Sequence, residues 1–125
     1  MARVLGLGGV FFKAADPQRL AAWYRDCLGM PVDEYGAAFQ PGDMPAGGYS
    51  AWSPFAEDTT YFQPSGRAFM FNLVVDDLDG CLAQVMQAGA TLVGDVADEE
   101  YGRFGWFLDP EGNKVELWEP RKSGA

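Results

Sequence analysis

The chain has 125 residues, carries a formal net charge of −9 and contains no histidine. The absence of histidine excludes Ser-His-Asp and Cys-His catalysis, histidine zinc sites and an imidazole general base. The acidic balance makes nucleic acid and anionic membranes unfavourable partners. Hydrophobic residues make up 48% of the chain, which predicts a folded domain rather than a disordered one.

The first half of the chain predicts a strand, a helix and three further strands. Residues 4–13 are rich in β-branched and aromatic side chains, which favour a strand. Asp16 and Pro17 are typical of a helix start, and Gly29 predicts the end of that helix. Three strand-like stretches follow between loops rich in Gly and Pro, namely residues 32–35, 49–52 and 59–62.

The second half repeats this order. Residues 69–75 predict a strand, Asp77 the start of a helix, and Gly89 its end. Three strands are expected next, over residues 91–96, 103–108 and 114–118, with a hairpin turn between the last two. The sequence therefore predicts one α+β domain over residues 1–125. It consists of two tandem βαβββ modules, about residues 1–64 and 65–125, packed into one eight-stranded unit.

Three segments resemble sequences of the vicinal oxygen chelate superfamily, which includes glyoxalase I, bleomycin resistance proteins and extradiol dioxygenases. They are GVFFKAADPQRLAAWYRDCLGMPV, FNLVVDDLDGCLAQVMQAGA and YGRFGWFLDPEGNKVELWEP. The resemblance extends over nearly the whole chain, and DPEGNKVELWEP is its most specific part. It implies that the eight-stranded sheet curves around a cavity and that the protein is a homodimer.

The resemblance also implies positions for metal ligands. Metal-using members of the superfamily place two histidines and two carboxylates around the cavity. By position, the histidines fall on Gly9 and Met70, the first carboxylate falls near residues 51–52, where no acid stands, and the second is retained as Glu116. A divalent transition metal needs several converging N, O or S donors. We therefore expect no metal and no cofactor.

The alternation of side chains along strands predicts a ligand site on the cavity side. Its polar groups are Glu116 and Asn72, and its apolar wall includes Phe11 and Met70. An apolar pocket disfavours a charged carboxylate, which suits Glu116 to proton transfer or to pairing with a cationic ligand. Alternatively, Glu116 is a family residue bonded to a neighbouring strand or to Lys114, and Asn72 is a structural bridge between strands.

Three further residues are candidates for ligand contact. Trp52 is suited to stacking on an aromatic ligand, although aromatic residues in this region also suit a core or a dimer contact. Tyr101 and Arg103 lie on a predicted loop that forms either a lid over the pocket or a solvated edge. Cys27 and Cys81 are predicted to be reduced and buried, and no export signal or membrane span is recognised, so a cytoplasmic protein is expected.

Three functions remain open at this stage. The first, which is favoured, is a binding protein of the bleomycin-resistance type that holds a small aromatic or cationic molecule in a metal-free cavity. The second is a metal-independent lyase or isomerase in which Glu116 is the general base and Asn72 or Tyr101 stabilises negative charge. The third is an interaction subunit without a ligand. Whether the chain is an enzyme, and which molecule it binds, stays open.

Overall fold

The computed structural model describes residues 2–3 and 5–121 of the chain. In this part, two helices pack on one face of a five-stranded mixed sheet, and a separate two-stranded sheet lies in the first half. None of the helices described is long and apolar enough to cross a membrane.

Both helices begin where their capping residues predict. Helix α1 spans Pro17–Leu28, the Asp16 carboxylate caps its first turn, and Gly29 ends it in the left-handed conformation at φ 65°. Helix α2 spans Leu78–Gln87 and is capped in the same way by Asp77. In both cases a carboxylate accepts a backbone N–H that has no partner within the helix.

The strands are distributed unevenly between the halves. The first half holds the two-stranded sheet, and the second half holds the larger one. In chain order they are β1 (Val32–Asp33), β2 (Gly36–Ala37), β3 (Phe71–Val74), β4 (Thr91–Leu92), β5 (Ala97–Glu99), β6 (Gly102–Leu108) and β7 (Lys114–Pro120). The larger sheet has the order β3-β7-β6-β4, and β5 also pairs with β6. Strand β3 is parallel to β7, and all other pairs are antiparallel.

The core lies between the two helices and the larger sheet. Its fully buried side chains come from α2, β6 and β7: Leu78, Val85, Phe107, Val115 and Leu117. Gly105 allows β6 to approach α2 closely, because a Cβ at this position would lie 2.8 Å from Cδ1 of Leu82. The second half therefore supplies most of the buried apolar surface.

The turn between β6 and β7 fastens α1 to the second half. Asp109 in this turn is 5% exposed, and its carboxylate accepts hydrogen bonds from the Tyr24 hydroxyl and the Asn113 side-chain amide, both at 2.8 Å. The Glu111 carboxylate accepts the backbone N–H groups of the two residues that precede α1, both at 2.9 Å. This turn thus anchors α1 and the residues just before it to the second half.

Several predicted strands are not strands in this structure. Of residues 4–13, Val4 lies outside the described residues, as do residues 1 and 122–125 of the predicted modules, and the remainder forms no strand. Residues 49–52 and 59–62 form loops and turns. The residues there favour strands, but a strand is stable only when its backbone pairs with a neighbour. The predicted eight-stranded sheet is therefore replaced by sheets of five and two strands.

Of the predicted strand over residues 91–96, only the first two residues form a strand, β4, and β5 begins just after the predicted range. Gly94 between them has φ 70°, which lies in the left-handed region and interrupts the extended conformation. Both short strands pair with β6, so the second half retains the strand, helix and multi-strand order that the repeat predicts.

Candidate functional site

The candidate site lies on the face of the larger sheet that points away from the helices. Asn72 on β3 pairs with Glu116 on β7, and Glu116 pairs with Trp106 on β6. Because side chains alternate along a strand, the neighbours of Glu116, which are Val115 and Leu117, pack into the helix-covered core. Register alone therefore aligns the three polar side chains across three strands.

Glu116 accepts three hydrogen bonds from neighbouring side chains. Its Oε1 accepts from Nδ2 of Asn72 at 2.6 Å. Its Oε2 accepts from the Tyr61 hydroxyl at 2.6 Å and from Nε1 of Trp106 at 2.8 Å. A carboxylate has about four lone-pair sites, so one acceptor site on Oε1 remains for a further donor. These three partners fix the orientation of the carboxylate.

Lys114 lies on the same face of β7, two residues before Glu116. Its ammonium donates to the backbone carbonyl of Tyr61 and lies 4.9 Å from the centre of the Tyr61 ring and 5.9 Å from that of Trp106. Burial lowers the pKa of Lys114, and the Glu116 carboxylate opposes that shift. The site thus places a formal positive and a formal negative charge against the same two rings.

Tyr61 reaches the site from the irregular region of the first half. Its ring stacks on Phe55, with centroids 5.6 Å apart, and meets Trp106 edge-on at 6.5 Å. Burial, followed by the hydrogen bond to Glu116, raises the pKa of Tyr61. The hydroxyl therefore keeps its proton at neutral pH and acts as a donor. Tyr61 is still 40% exposed, so it covers Glu116 without sealing it from solvent.

Two clefts in the described part of the chain both lie away from Glu116. These clefts, of about 420 and 320 Å³, lie beside the helices and are lined by residues such as Trp23 and Gln84. Neither cleft is lined by Glu116 or its three partners. The candidate site is instead an open sheet face that Tyr61 partly covers.

Glu116 and Asn72 are the two sequence-predicted site residues that the structure brings into contact. Met70 is half-buried immediately before β3. Phe11 and Trp52 are 96% and 80% exposed, and neither stacks on an aromatic ring among the described residues. The segments that carry them have no strand partner, so nothing holds their side chains at the sheet face.

The described hydrogen bonds of Tyr101 and Arg103 are made away from Glu116 and its three partners. Tyr101 is 63% exposed, and its backbone carbonyl accepts the indole N–H of Trp118 at 2.9 Å. Arg103 forms a bidentate pair with Asp79 of α2 at 3.0 and 3.1 Å, on the helix side of the sheet. Arg103 stands three residues from Trp106 and its side chain lies on the other face of the sheet, so these contacts favour the solvated-edge alternative over the lid.

Trp106 and Tyr61 are not among the site residues predicted from the sequence, and Lys114 was predicted only as a possible partner of Glu116. A signal for Trp106 was present, because the turn pairs Leu108 with Lys114 and counting outward from it places Trp106 opposite Glu116. Tyr61 had no such signal. Its loop has no strand register from which a partner can be counted.

The residues do not fit the metal site of the superfamily. Among residues 2–3 and 5–121, no cluster of three or more Cys, Asp and Glu side chains could hold a metal ion. Gly9 offers no side-chain donor, Met70 offers only a thioether, and the Glu116 oxygens already accept bonds from Asn72, Tyr61 and Trp106. This donor set does not suit a divalent transition metal.

The two cysteines are free thiols, one half-buried and one buried. Burial raises the pKa of Cys27 to about 11 and also raises the pKa of Cys81. Protonated thiols are poor nucleophiles, so both residues act as packing groups between the helices and the core.

The described fold is that of a small α+β protein with one strand, a helix and four further strands in its second half and a fixed carboxylate on the open sheet face. A family model, described as a glyoxalase-like domain, matches residues 9–118, and the chain belongs to this family. The resemblance to the vicinal oxygen chelate superfamily is thereby confirmed.

Solved structures share this fold at low sequence identity. A protein from the mobile metagenome of V. Pseudocholerae is 17% identical over 98% of this chain and 99% of its own, with a TM-score of 0.60. A protein of unknown function from Agrobacterium tumefaciens is 20% identical over 92% of this chain and 98% of its own, with a TM-score of 0.56. TnmS3, an antibiotic binding protein from Streptomyces sp. CB03234, is 24% identical over 86% and 89%, with a TM-score of 0.52.

Two other matches are partial. The chain spans about half the length, 46% and 47%, of two matched structures from S. aureus and Bacillus cereus. Among curated proteins, none matches this chain.

Proposed function

We propose that the chain binds a small aromatic molecule on the Glu116 face of its sheet, without a metal. The observation that carries this proposal is the carboxylate of Glu116, which three donors hold in place beside the rings of Tyr61 and Trp106. Small-molecule sites combine apolar and aromatic surface with a few fixed polar groups. The similar fold of the antibiotic-binding TnmS3 supports a binding role.

A neutral aromatic ligand is favoured over a cationic one. A cation is attracted by Glu116 and by the net charge of −9, but it also meets the Lys114 ammonium. Lys114 lies within 6 Å of both ring centres, a distance at which a cation and an aromatic face attract each other. It therefore already takes the place beside the rings that a cationic ligand would need. The cationic ligand is therefore the alternative within this proposal.

A titration tests the binding site directly. Indole and tetramethylammonium serve as the aromatic and cationic probes, and the shift in thermal stability is measured. A compound at 100 times its dissociation constant stabilises by about 2.7 kcal/mol. We expect Glu116→Gln to weaken indole binding about tenfold, because the substitution perturbs the hydrogen bonds that orient the ring surface.

The matched control is Glu34→Gln, at an exposed carboxylate in the turn between β1 and β2. Equal loss of affinity in both variants would assign the effect to net charge rather than to the site. If neither probe binds to the wild-type protein, an interaction role without a ligand replaces this proposal.

A metal-independent lyase or isomerase is the alternative function. The free acceptor site on Oε1 favours it, because Glu116 has room there to take a proton. Two observations weigh against it: Asn72 already donates to Oε1, and Tyr101 offers the site no side-chain donor among the described contacts. An enzyme would lose turnover in Glu116→Gln while keeping ligand affinity, whereas a binding protein would lose affinity.

The second part of the proposal is a homodimer. Large apolar side chains of the first half are left exposed, among them Phe11 at 96%, Leu5 at 88% and Trp52 at 80%. Exposed apolar surface of this extent is typical of an interaction surface. A second copy would supply strand partners to the unpaired segments and complete the eight-stranded curved sheet over the site.

Sedimentation of two variants tests the dimer. Phe11→Ser is expected to shift the protein toward the monomer, whereas Met86→Ser, at a 57% exposed position on α2, leaves the assembly unchanged. A wild-type protein that sediments as a monomer at all concentrations would contradict this part of the proposal.

The cellular setting completes the proposal. Two free thiols fit the reducing cytoplasm. The net charge of −9 opposes contact with the phosphates of nucleic acids and with anionic membranes. A small molecule and a second copy of the chain are thus the proposed partners.

A further inference from the structure

The Tyr61 side chain lies in front of Glu116 in a cage that is open to solvent on one side and is formed by Phe55, Trp106 and Lys114. We propose that this cage is itself the ligand site, and that a phenol enters it, displaces the Tyr61 side chain and donates its own hydroxyl to Glu116. The inference rests on the proposed function, because it names the ligand class of the same face. Tyr61 is then an internal occupant that a ligand of the same chemistry replaces.

The Glu116 carboxylate already accepts a hydrogen bond from a phenol group. The Tyr61 hydroxyl lies 2.6 Å from Oε2 of Glu116, a length typical of a hydroxyl that donates to a carboxylate. The Trp106 indole donates to the same oxygen, and Asn72 holds the other. The sheet thus presents an acceptor already oriented toward one hydroxyl group, and two of its three partners, Trp106 and Asn72, remain in place when the Tyr61 side chain leaves.

The surface around the Tyr61 ring supports the same inference. The Lys114 ammonium lies 4.9 Å from the centre of the Tyr61 ring, Trp106 meets that ring edge-on and Phe55 stacks on it at 5.6 Å. A cation over an aromatic face and an edge-on aromatic partner both favour an electron-rich ring. A cationic ligand in the same place would instead be repelled by Lys114.

The side chain of Tyr61 can leave the cage while its backbone stays in place. Its backbone is held by two contacts, the N–H with Oγ1 of Thr59 at 3.2 Å and the carbonyl with Lys114. Both can persist while the side chain rotates, because neither involves the phenol group. The exchange replaces one hydroxyl–carboxylate bond by another of the same kind, so its net cost in hydrogen bonding is small.

An NMR titration with p-cresol tests the inference, because p-cresol is the free form of a tyrosine side chain. The signal is the indole N–H of Trp106, and that of Trp23 is the internal reference, since its indole donates to Ala88 beside the helices. Toluene lacks the hydroxyl and serves as the matched probe. In the wild-type protein, p-cresol is expected to bind more tightly than toluene.

Tyr61→Phe removes the competing hydroxyl and keeps the ring. We expect it to tighten the binding of both p-cresol and toluene about tenfold and to leave the preference for p-cresol unchanged, because a ligand that displaces the side chain no longer has to break a charge-assisted hydrogen bond. Adding Glu116→Gln to this variant should abolish the gain for p-cresol. Tyr35→Phe, the same change at an 89% exposed tyrosine, is the control and should have no effect.

The outcomes separate this inference from the proposed function. If p-cresol binds to Tyr61→Phe no better than to the wild type, or if the wild type does not prefer p-cresol to toluene, the inference is overturned. Indole or toluene binding would still leave the proposed function standing. If none of the three compounds shifts the Trp106 signal, both fail. The preference in the wild type decides the question even if Tyr61→Phe does not fold.

Discussion

The two halves of the chain share one sequence pattern but differ in structure. The second half forms a five-stranded sheet whose inner side chains, such as Val115 and Leu117, are fully buried. The first half forms one helix and a two-stranded sheet, and Phe11 and Trp52 remain exposed there. Strand propensity alone therefore does not produce a sheet.

The length of the connections explains much of the difference. In the second half, β6 and β7 are joined by the short turn over residues 109–113, and their seven-residue strands pair along their full length. In the first half, a Gly- and Pro-rich segment separates residues 32–35 from residues 49–52. Short connections bring strands together at low entropic cost, whereas long ones need additional contacts to do so.

The largest expected effect on stability comes from shortening a buried leucine in the second half, compared with the same substitution at a half-exposed leucine in the first half. Leu117→Ala should destabilise the monomer by about 3 kcal/mol, because a fully buried leucine leaves a cavity. Leu7→Ala, at a 49% exposed position, should change the stability by less than about 0.5 kcal/mol. Urea unfolding of dilute protein measures both. Equal losses would mean that the first half is as well packed as the second.

A smaller effect is expected at the joint between the halves. Asp109→Ala should cost about 2 kcal/mol, because it leaves the Tyr24 hydroxyl and the Asn113 amide without their buried acceptor. Hydrogen exchange should show that α1 loses more protection than β3. Asp95→Ala, at an exposed position between β4 and β5, is the control. Uniform loss of protection over both halves would argue against a separable joint.

The smallest effect is a pH dependence at the same joint. Burial, followed by the nearby Asp109 carboxylate, raises the pKa of Tyr24 above its ordinary value of 10.0. Because the folded state favours the protonated phenol, this stabilisation is complete below pH 10 and is lost as the pH rises above it. Urea unfolding at about pH 8 and pH 11 should show a smaller loss in Tyr24→Phe than in the wild type. Parallel losses in both proteins would exclude Tyr24 as a cause.

The elements with local signals were predictable. The capping carboxylates Asp16 and Asp77 gave the helix starts, and the turn over residues 109–113 gave the β6–β7 hairpin. Both signals lie within a few residues of the structure that they specify. The unpaired strand-like segments were not predictable, since the presence of a strand partner depends on distant parts of the chain.

The same distinction applies to the site. Glu116 was predictable from the family motif and Asn72 from the alternation of side chains along its strand, because strand register aligns the two residues. The role of Tyr61 was not predictable, since its contact with Glu116 joins residues 55 positions apart through an irregular loop. Arg103 pairs with Asp79 on α2, a contact between residues 24 positions apart that no local pattern indicates.

The division of side chains between the two sheet faces has a consequence for how such a protein changes during evolution. Asn72, Trp106 and Glu116 meet one another on one face, while the residues that stabilise the fold lie on the other. Under the proposed function, substitutions at the first two positions would alter ligand contacts and leave the core intact. Ligand preference would then diverge quickly among descendants of this chain while the fold persists, because selection for folding and selection for binding would act on different residues of the same strands.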